Sequence, residues 1–180
     1  GRTVTDSDSF TPSTDVALYA VEEMLFGNSK LYIDDDTGTI GSTLKSNTLL
    51  EAELKYKSGW IPKYTADGNL YFSFIEQVGD EMMLSITFEH DATSVAEKTA
   101  WRNKQGRAVK LLVEGSAVAT PGTTYSKKSF IANLYGKWES FEKVDEIDGN
   151  DVVKGVLRCR YSTVAAAKGS IIVVNERASH

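Results

Sequence analysis

Residues 81–115 read EMMLSITFEHDATSVAEKTAWRNKQGRAVKLLVEG, and their periodicity changes from that of a strand to that of a helix and back again. Met82, Leu84, Ile86 and Phe88 alternate with Met83, Ser85, Thr87 and Glu89, which predicts a strand with one more apolar face. Ser94 and Glu97, three residues apart, predict a capping box at a helix start, and Asp91 adds negative charge near the positive end of its dipole. Val95, Thr99 and Arg102 share one side of that helix, with Ala92, Ala96 and Ala100 beside them, and Gly106 is the expected left-handed stop. Val109, Leu111 and Val113 then resume alternation against Ala108, Lys110, Leu112 and Glu114. The segment predicts a helix over about residues 92–105 between two strands.

Working outward, β-patterns dominate. Lys30–Ile33 reads as a short strand before the turn-rich DDDTGTIGST of residues 34–43. Leu50, Ala52, Leu54 and Tyr56 alternate with Glu51, Glu53, Lys55 and Lys57, a half-buried strand whose other face is charged. Asp67, Gly68 and Asn69 predict a turn, after which Leu70, Phe72 and Phe74 alternate with Tyr71, Ser73 and Ile75. Beyond the central segment, ATPGTT at 119–124 is a turn, and residues 129–135 and 137–143 form strands bent at Gly136. Residues 147–150 turn the chain into strands over 152–161 and 171–176. Residues 16–26 suit both periods, with the helix preferred. The fold expected is mainly β: an antiparallel β-sandwich or barrel with one flanking α-helix. Residues 1–15 are expected to be a flexible N-terminal arm and 16–177 a single domain.

Composition narrows the function. The 180 residues carry a formal net charge of −5, which argues against a general nucleic-acid binder that grips phosphates through a basic face. Cys159 is the single cysteine, so neither an intramolecular disulfide nor a thiolate zinc cluster is expected. No apolar run approaches the roughly 20 residues that cross a bilayer, and the first 15 residues lack the pattern of a signal peptide.

Catalytic constellations are thin. His90 reads as a polar residue where the strand meets the helix, and Cys159 as a buried strand cysteine sharing a side with Val153, Gly155, Leu157 and Tyr161. No phosphate-binding glycine loop is present. Asp34, Asp35 and Asp36 begin like a calcium loop, but the twelfth position is Lys45 where a glutamate belongs. Asp145, Asp148, Asn150 and Asp151 read as hairpin chemistry before ion ligands. The sequence therefore points to no catalytic residues, no metal and no cofactor. The anomaly is SGWIPKYTADGN at 58–69, a loop whose middle holds Trp60, Ile61, Pro62 and Tyr64 where a surface connection is normally polar.

The passage AWRNKQGRAVKLLVEG at 100–115, with the strand pairs around it, resembles the tail tube (major tail) proteins of long-tailed bacteriophages over about two-thirds of the chain. That resemblance implies a β-sandwich with one flanking helix, homo-hexameric rings stacked into a tube, and DNA passing through without specific binding. Tape-measure and tail-terminator proteins would be further partners, with no membrane involved. The location implied is the virion tail, assembled in the host cytoplasm. Trp60, Ile61, Pro62 and Tyr64 match the loop by which such proteins reach neighbours, and Glu51 and Glu53 match an electronegative lumen wall. The alternative is a β-sandwich binding module presenting Trp60, Tyr64, Tyr135 and Trp138 to a carbohydrate or peptide.

Overall fold

A computed structural model describes residues 22–176 apart from 67, 69 and 148. The expected N-terminal arm lies outside the described residues. Ten strands follow in order: β1 (Ser29–Asp35), β2 (Leu44–Lys45), β3 (Leu49–Lys57), β4 (Trp60–Lys63), β5 (Phe74–Gln77), β6 (Glu81–Glu89), β7 (Gly106–Ala117), β8 (Lys127–Ile147), β9 (Asn150–Cys159) and β10 (Gly169–Val174). One helix, α1 (Ala92–Arg102), joins β6 to β7. All strand pairs are antiparallel, in the order β2-β1-β7-β8-β9-β6-β3, with β10 also on β8 and β4-β5 as a separate ribbon.

The architecture turns on β8. Residues 129–134 pair with β7 on one edge and β10 on the other, whereas residues 136–147 pair with β9. One strand therefore belongs to both layers of a sandwich, β2-β1-β7-β8-β10 and β8-β9-β6-β3. The crossing comes at Gly136, which pairs with Arg107 and Cys159 at once. A Cβ there would overlap the Arg158 carbonyl, so only glycine lets β9 pass so close. Residues 129–135 and 137–143, expected as bent strands, are one strand with irregularities at Trp138/Ser140 and Val144/Glu146.

Alternation fills the space between layers. Leu31, Ile33, Val109, Leu111, Ala132 and Leu134 from one layer join Leu84, Ile86, Phe88, Val153 and Leu157 from the other in one buried cluster with Trp138 and Phe141. Phe141 stacks on Phe88 with ring centroids 5.8 Å apart, and Trp138 meets both rings edge-on. Cross-strand register places Gly155 opposite Phe141, where its missing side chain makes room for both large rings.

The central segment folds as strand, helix and strand, with its caps displaced. Asp91 is the N-cap: its carboxylate accepts from the Ser94 N–H at 2.9 Å, and the Ser94 hydroxyl accepts from the Asp91 N–H at 3.0 Å. The expected Ser94–Glu97 box is thus three residues too late. The helix also ends at Arg102, before the expected 105, and the left-handed residue is Lys104 (φ 55°), not Gly106. Lys104 N–H bonds the Trp101 carbonyl and Gln105 N–H the Ala100 carbonyl, a Schellman close built on lysine. The buried stripe is Ser94, Glu97 and Ala100, whereas Val95 and Thr99 face solvent.

Other boundaries move as well. Residues 22–25 form no helix, and Phe26–Asn28 make a single 3-10 turn; the rest of the helix expected over 16–26 lies outside the described residues. In β3 an irregularity between Leu49 and Glu51 leaves Leu50 exposed and Leu49 half-buried against the core. The strand expected from Leu70 starts only at Phe74.

A Cβ on Gly155 would sit 2.8 Å from Phe141 and 3.1 Å from Trp138, rings wedged on all sides by the core. Gly155→Ala is therefore expected to destabilise the fold by about 2 kcal/mol through overpacking, read as a lower urea midpoint at unchanged slope.

Candidate assembly surfaces

Trp60, Ile61, Pro62 and Tyr64 do not form an irregular loop. The first three lie in β4, which pairs with β5 in a two-stranded ribbon: Trp60 opposite Gln77, Ile61 opposite Glu76, Pro62 opposite Ile75 and Lys63 opposite Phe74. Because side chains alternate, Trp60, Pro62 and Ile75 lie on one face while Ile61 and Phe74 lie on the other. The first face is mostly apolar, the second mixes Ile61 and Phe74 with the Lys63–Glu76 ion pair, and both are open: Trp60 is 56% exposed, Tyr64 70%, Tyr71 82% and Leu70 95%. None of these side chains joins the core. No fold of the chain over them buries these side chains. The sequence marks the anomaly at 58–69, but it places Leu70, Phe72 and Phe74 in a further strand, so it misses that they extend the same exposed ribbon.

Glu51 and Glu53 lie on the outward face of β3, at the end of the strand order. They share that face with Lys55 and Lys57. Register continues the face across Thr87, Ser85, Met83 and Glu81 of β6 to Lys154, Val156 and Arg158 of β9. Its charges are largely paired: Lys55 with Glu53 at 3.0 Å, Lys57 with Glu81 at 3.4 Å, and Arg158 with both Glu81 (3.3 Å) and Glu139 (3.2 Å). Thr87 donates to Glu51 at 3.3 Å. These exposed pairs add little stability, but they make the face nearly neutral at close range.

The residues weighed for chemistry resolve differently. Burial pushes the Cys159 thiol up to about 11, so at neutral pH it is an unreactive strand residue. His90 is exposed, with its backbone N–H on the Asp151 carbonyl. Asp34 binds its own loop: its carboxylate accepts from the N–H groups of Gly41 (2.8 Å), Ser42 (3.1 Å) and Thr43 (2.9 Å). Trp138 is buried, its indole N–H on Glu97, which removes it from the aromatic platform that the binding-module alternative required. Of the acidic turn, the side chains of Asp145, Asp148 and Asn150 lie outside the described residues.

No family model matches the chain, and no curated protein matches it. Solved structures do share its fold. Against the SPP1 tail tube, determined by solid-state NMR and cryo-EM, the TM-score is 0.54 at 12% identity, covering 76% of this chain and 75% of that one. Against a chain of the anti-feeding prophage (AFP) baseplate, a six-fold symmetrised cryo-EM structure, the TM-score is 0.52 at 9% identity, covering 88% and 98%. With so little sequence shared, the likeness is one of fold.

Two outcomes follow from this geometry. The Asp34 carboxyl is pushed up by burial, but the Thr43 hydroxyl and the three N–H groups outweigh that and hold it below its ordinary value. Its contribution is full above the unfolded-state pKa of about 3.9 and is lost as pH falls through the lower native value. Asp34→Asn should cost about 2 kcal/mol at neutral pH and progressively less in acid, measured by urea unfolding across pH. By contrast, Trp60→Ala and Tyr64→Ala should leave the stability of the isolated protein within about 0.5 kcal/mol, because neither side chain is buried.

Proposed function

We propose that this chain is a structural subunit that self-assembles into stacked rings, forming the tail tube of a bacteriophage virion through which DNA passes. The observation that carries the reading is the shared fold with the SPP1 tail tube over about three-quarters of both chains. The β4-β5 ribbon supports it independently. A two-stranded ribbon is marginal by itself, and one that leaves Trp60, Ile61, Phe74 and Ile75 exposed is a hazard unless a partner covers it. A neighbouring copy supplies that cover, with Trp60, Ile61, Pro62 and Tyr64 as its anchors.

Six copies per ring is the stoichiometry we assign, in keeping with the six-fold symmetrised AFP baseplate. Ring closure satisfies the free edge of β3 and other exposed edges, which otherwise invite open-ended association. The β3 face bearing Glu51 and Glu53 is assigned to the lumen. Pairing of Lys55 and Arg158 with carboxylates leaves few cations there to hold phosphates, so DNA would slide. The subunit acts by shape and repetition, without catalysis. Its partners are further copies of itself, with tape-measure and tail-terminator proteins at the tube's inside and end. Assembly takes place in the host cytoplasm and the product resides in the virion tail.

Negative-stain microscopy of the concentrated protein is the test. Rings or tubes with six-fold class averages are expected for the wild type, and Trp60→Ala/Tyr64→Ala should leave a folded protein that forms few or none. A protein monomeric at every concentration, and absent from tails in antibody-labelled parent particles, would overturn the reading.

A further inference from the structure

β2 and β3 are end strands of the two layers, and between β2 and the start of β3 lies a groove of about 280 Å³ lined by Phe26, Leu31, Leu44, Thr48 and Leu49. An apolar cavity of roughly 150 Å³ holds a benzene ring, so this groove admits a large aromatic side chain. Leu31 and Leu49 belong to the core or pack against it, whereas Phe26 and Leu44 are about half exposed and offer an apolar rim. Thr48 is only 1% exposed, yet its hydroxyl has no hydrogen-bond partner among the described residues. Its backbone carbonyl is already taken by the Glu89 N–H. A buried hydroxyl left unpaired is costly, so this one calls for a partner from outside the chain.

The group that fits the groove sits on the same molecule but out of its own reach. From Leu49 to Lys57, β3 runs about 27 Å at strand rise. The ribbon prolongs the β3-β6 hairpin beyond that far end: Lys57 pairs with Glu81, the Val78 N–H bonds the Gly59 carbonyl, and Trp60 stands opposite Gln77. Trp60 is three residues past Lys57, a reach of about 10 Å, so it cannot turn back to the groove at Leu49. Its exposed indole N–H has no hydrogen-bond partner among the described residues. The β4-β5 ladder also holds it in place, with Pro62 and Ile75 on the same face, so little ordering remains to be done on docking.

We propose that the ribbon of a second copy docks Trp60 in the groove formed by Phe26, Leu44, Thr48 and Leu49, its indole N–H donating to the Thr48 hydroxyl, so that copies join head to tail along β3. Anchor and groove are different patches at opposite ends of one strand, so each copy offers one and accepts one, and the contact passes from copy to copy. The docking rests on the stacked-ring reading and gives that reading the surface that receives the ribbon. It covers the apolar rim and satisfies the buried hydroxyl in one step, the combination of aromatic anchor and desolvated pocket on which binding energy concentrates.

Complementation tests it. Trp60→Ala removes the anchor and keeps the groove, whereas Leu44→Arg blocks the groove and keeps the anchor. In sedimentation velocity the wild type should form species larger than dimers, and each variant, folded by circular dichroism, should self-associate roughly tenfold or more weakly. An equimolar mixture should give heterodimers and nothing longer, because one intact anchor meets one intact groove and no further pair is left. Thr48→Val, which keeps the shape and removes the hydroxyl, should weaken association about fivefold, the worth of one hydrogen bond, with no loss of subunit stability. If the mixture stays as weak as its components, if Leu44→Arg or Thr48→Val associates like the wild type, or if the wild type stops at monomers or dimers, the docking is overturned. Rings of Leu44→Arg seen by microscopy would then leave the stacked-ring reading standing. Heterodimers in the mixture, with open chains but no rings or tubes from the wild type, support the docking and sink the ring reading instead.

Discussion

The buried carboxylate of Glu97 fixes the relation of helix to sheets. It accepts from Arg107 Nε and from Trp138 Nε1, both at 2.9 Å, and so ties α1 to the start of β7 and to the middle of β8. Arg107 in turn reaches Asp35 at the end of β1. A carboxylate this buried is tolerable only with both donors in place, and removing one partner of such a pair typically costs 3–5 kcal/mol. The helix offers little apolar surface, with Ala100 its one fully buried hydrophobic residue, so directional bonds set its position where hydrophobic area does not. Trp101 completes the joint. Its ring packs near Phe141 and its N–H bonds the Glu139 carbonyl, covering the edge of β8 that β7 leaves unpaired.

That joint also explains where the sequence was legible. Leu84, Ile86 and Phe88 alternated into the core as their spacing required, and the change of period correctly announced a helix. What misled was Glu97, whose distance from Ser94 matches a capping box although the residue is consumed in the interior. Local spacing cannot distinguish a cap from a buried partner when the partner, Trp138, is 41 positions away. The apolar ribbon was half legible for a similar reason. Trp60 and Tyr64 stood out against polar neighbours, whereas Leu70, Phe72 and Phe74 alternated as core residues do, and nothing local says whether an apolar face meets its own chain or another.

The surface divides by kind of interaction. Directionless apolar contact is concentrated on the β4-β5 ribbon, while Arg102, Lys104, Lys137 and Arg160 gather beside the end of α1. Most other exposed charges are paired within the subunit. Apolar contact supplies strength without direction, whereas placed charges supply register.

The continuity of β8 has a mechanical consequence. A pull applied along this strand is shared at once by its ladders with β7, β9 and β10, and antiparallel ladders loaded along the strand direction are strained in shear, many hydrogen bonds together. Neither layer can slide over the other without breaking the strand they share. The body therefore resists axial tension as one unit, and its compliance resides in the ribbon and turns that project from it.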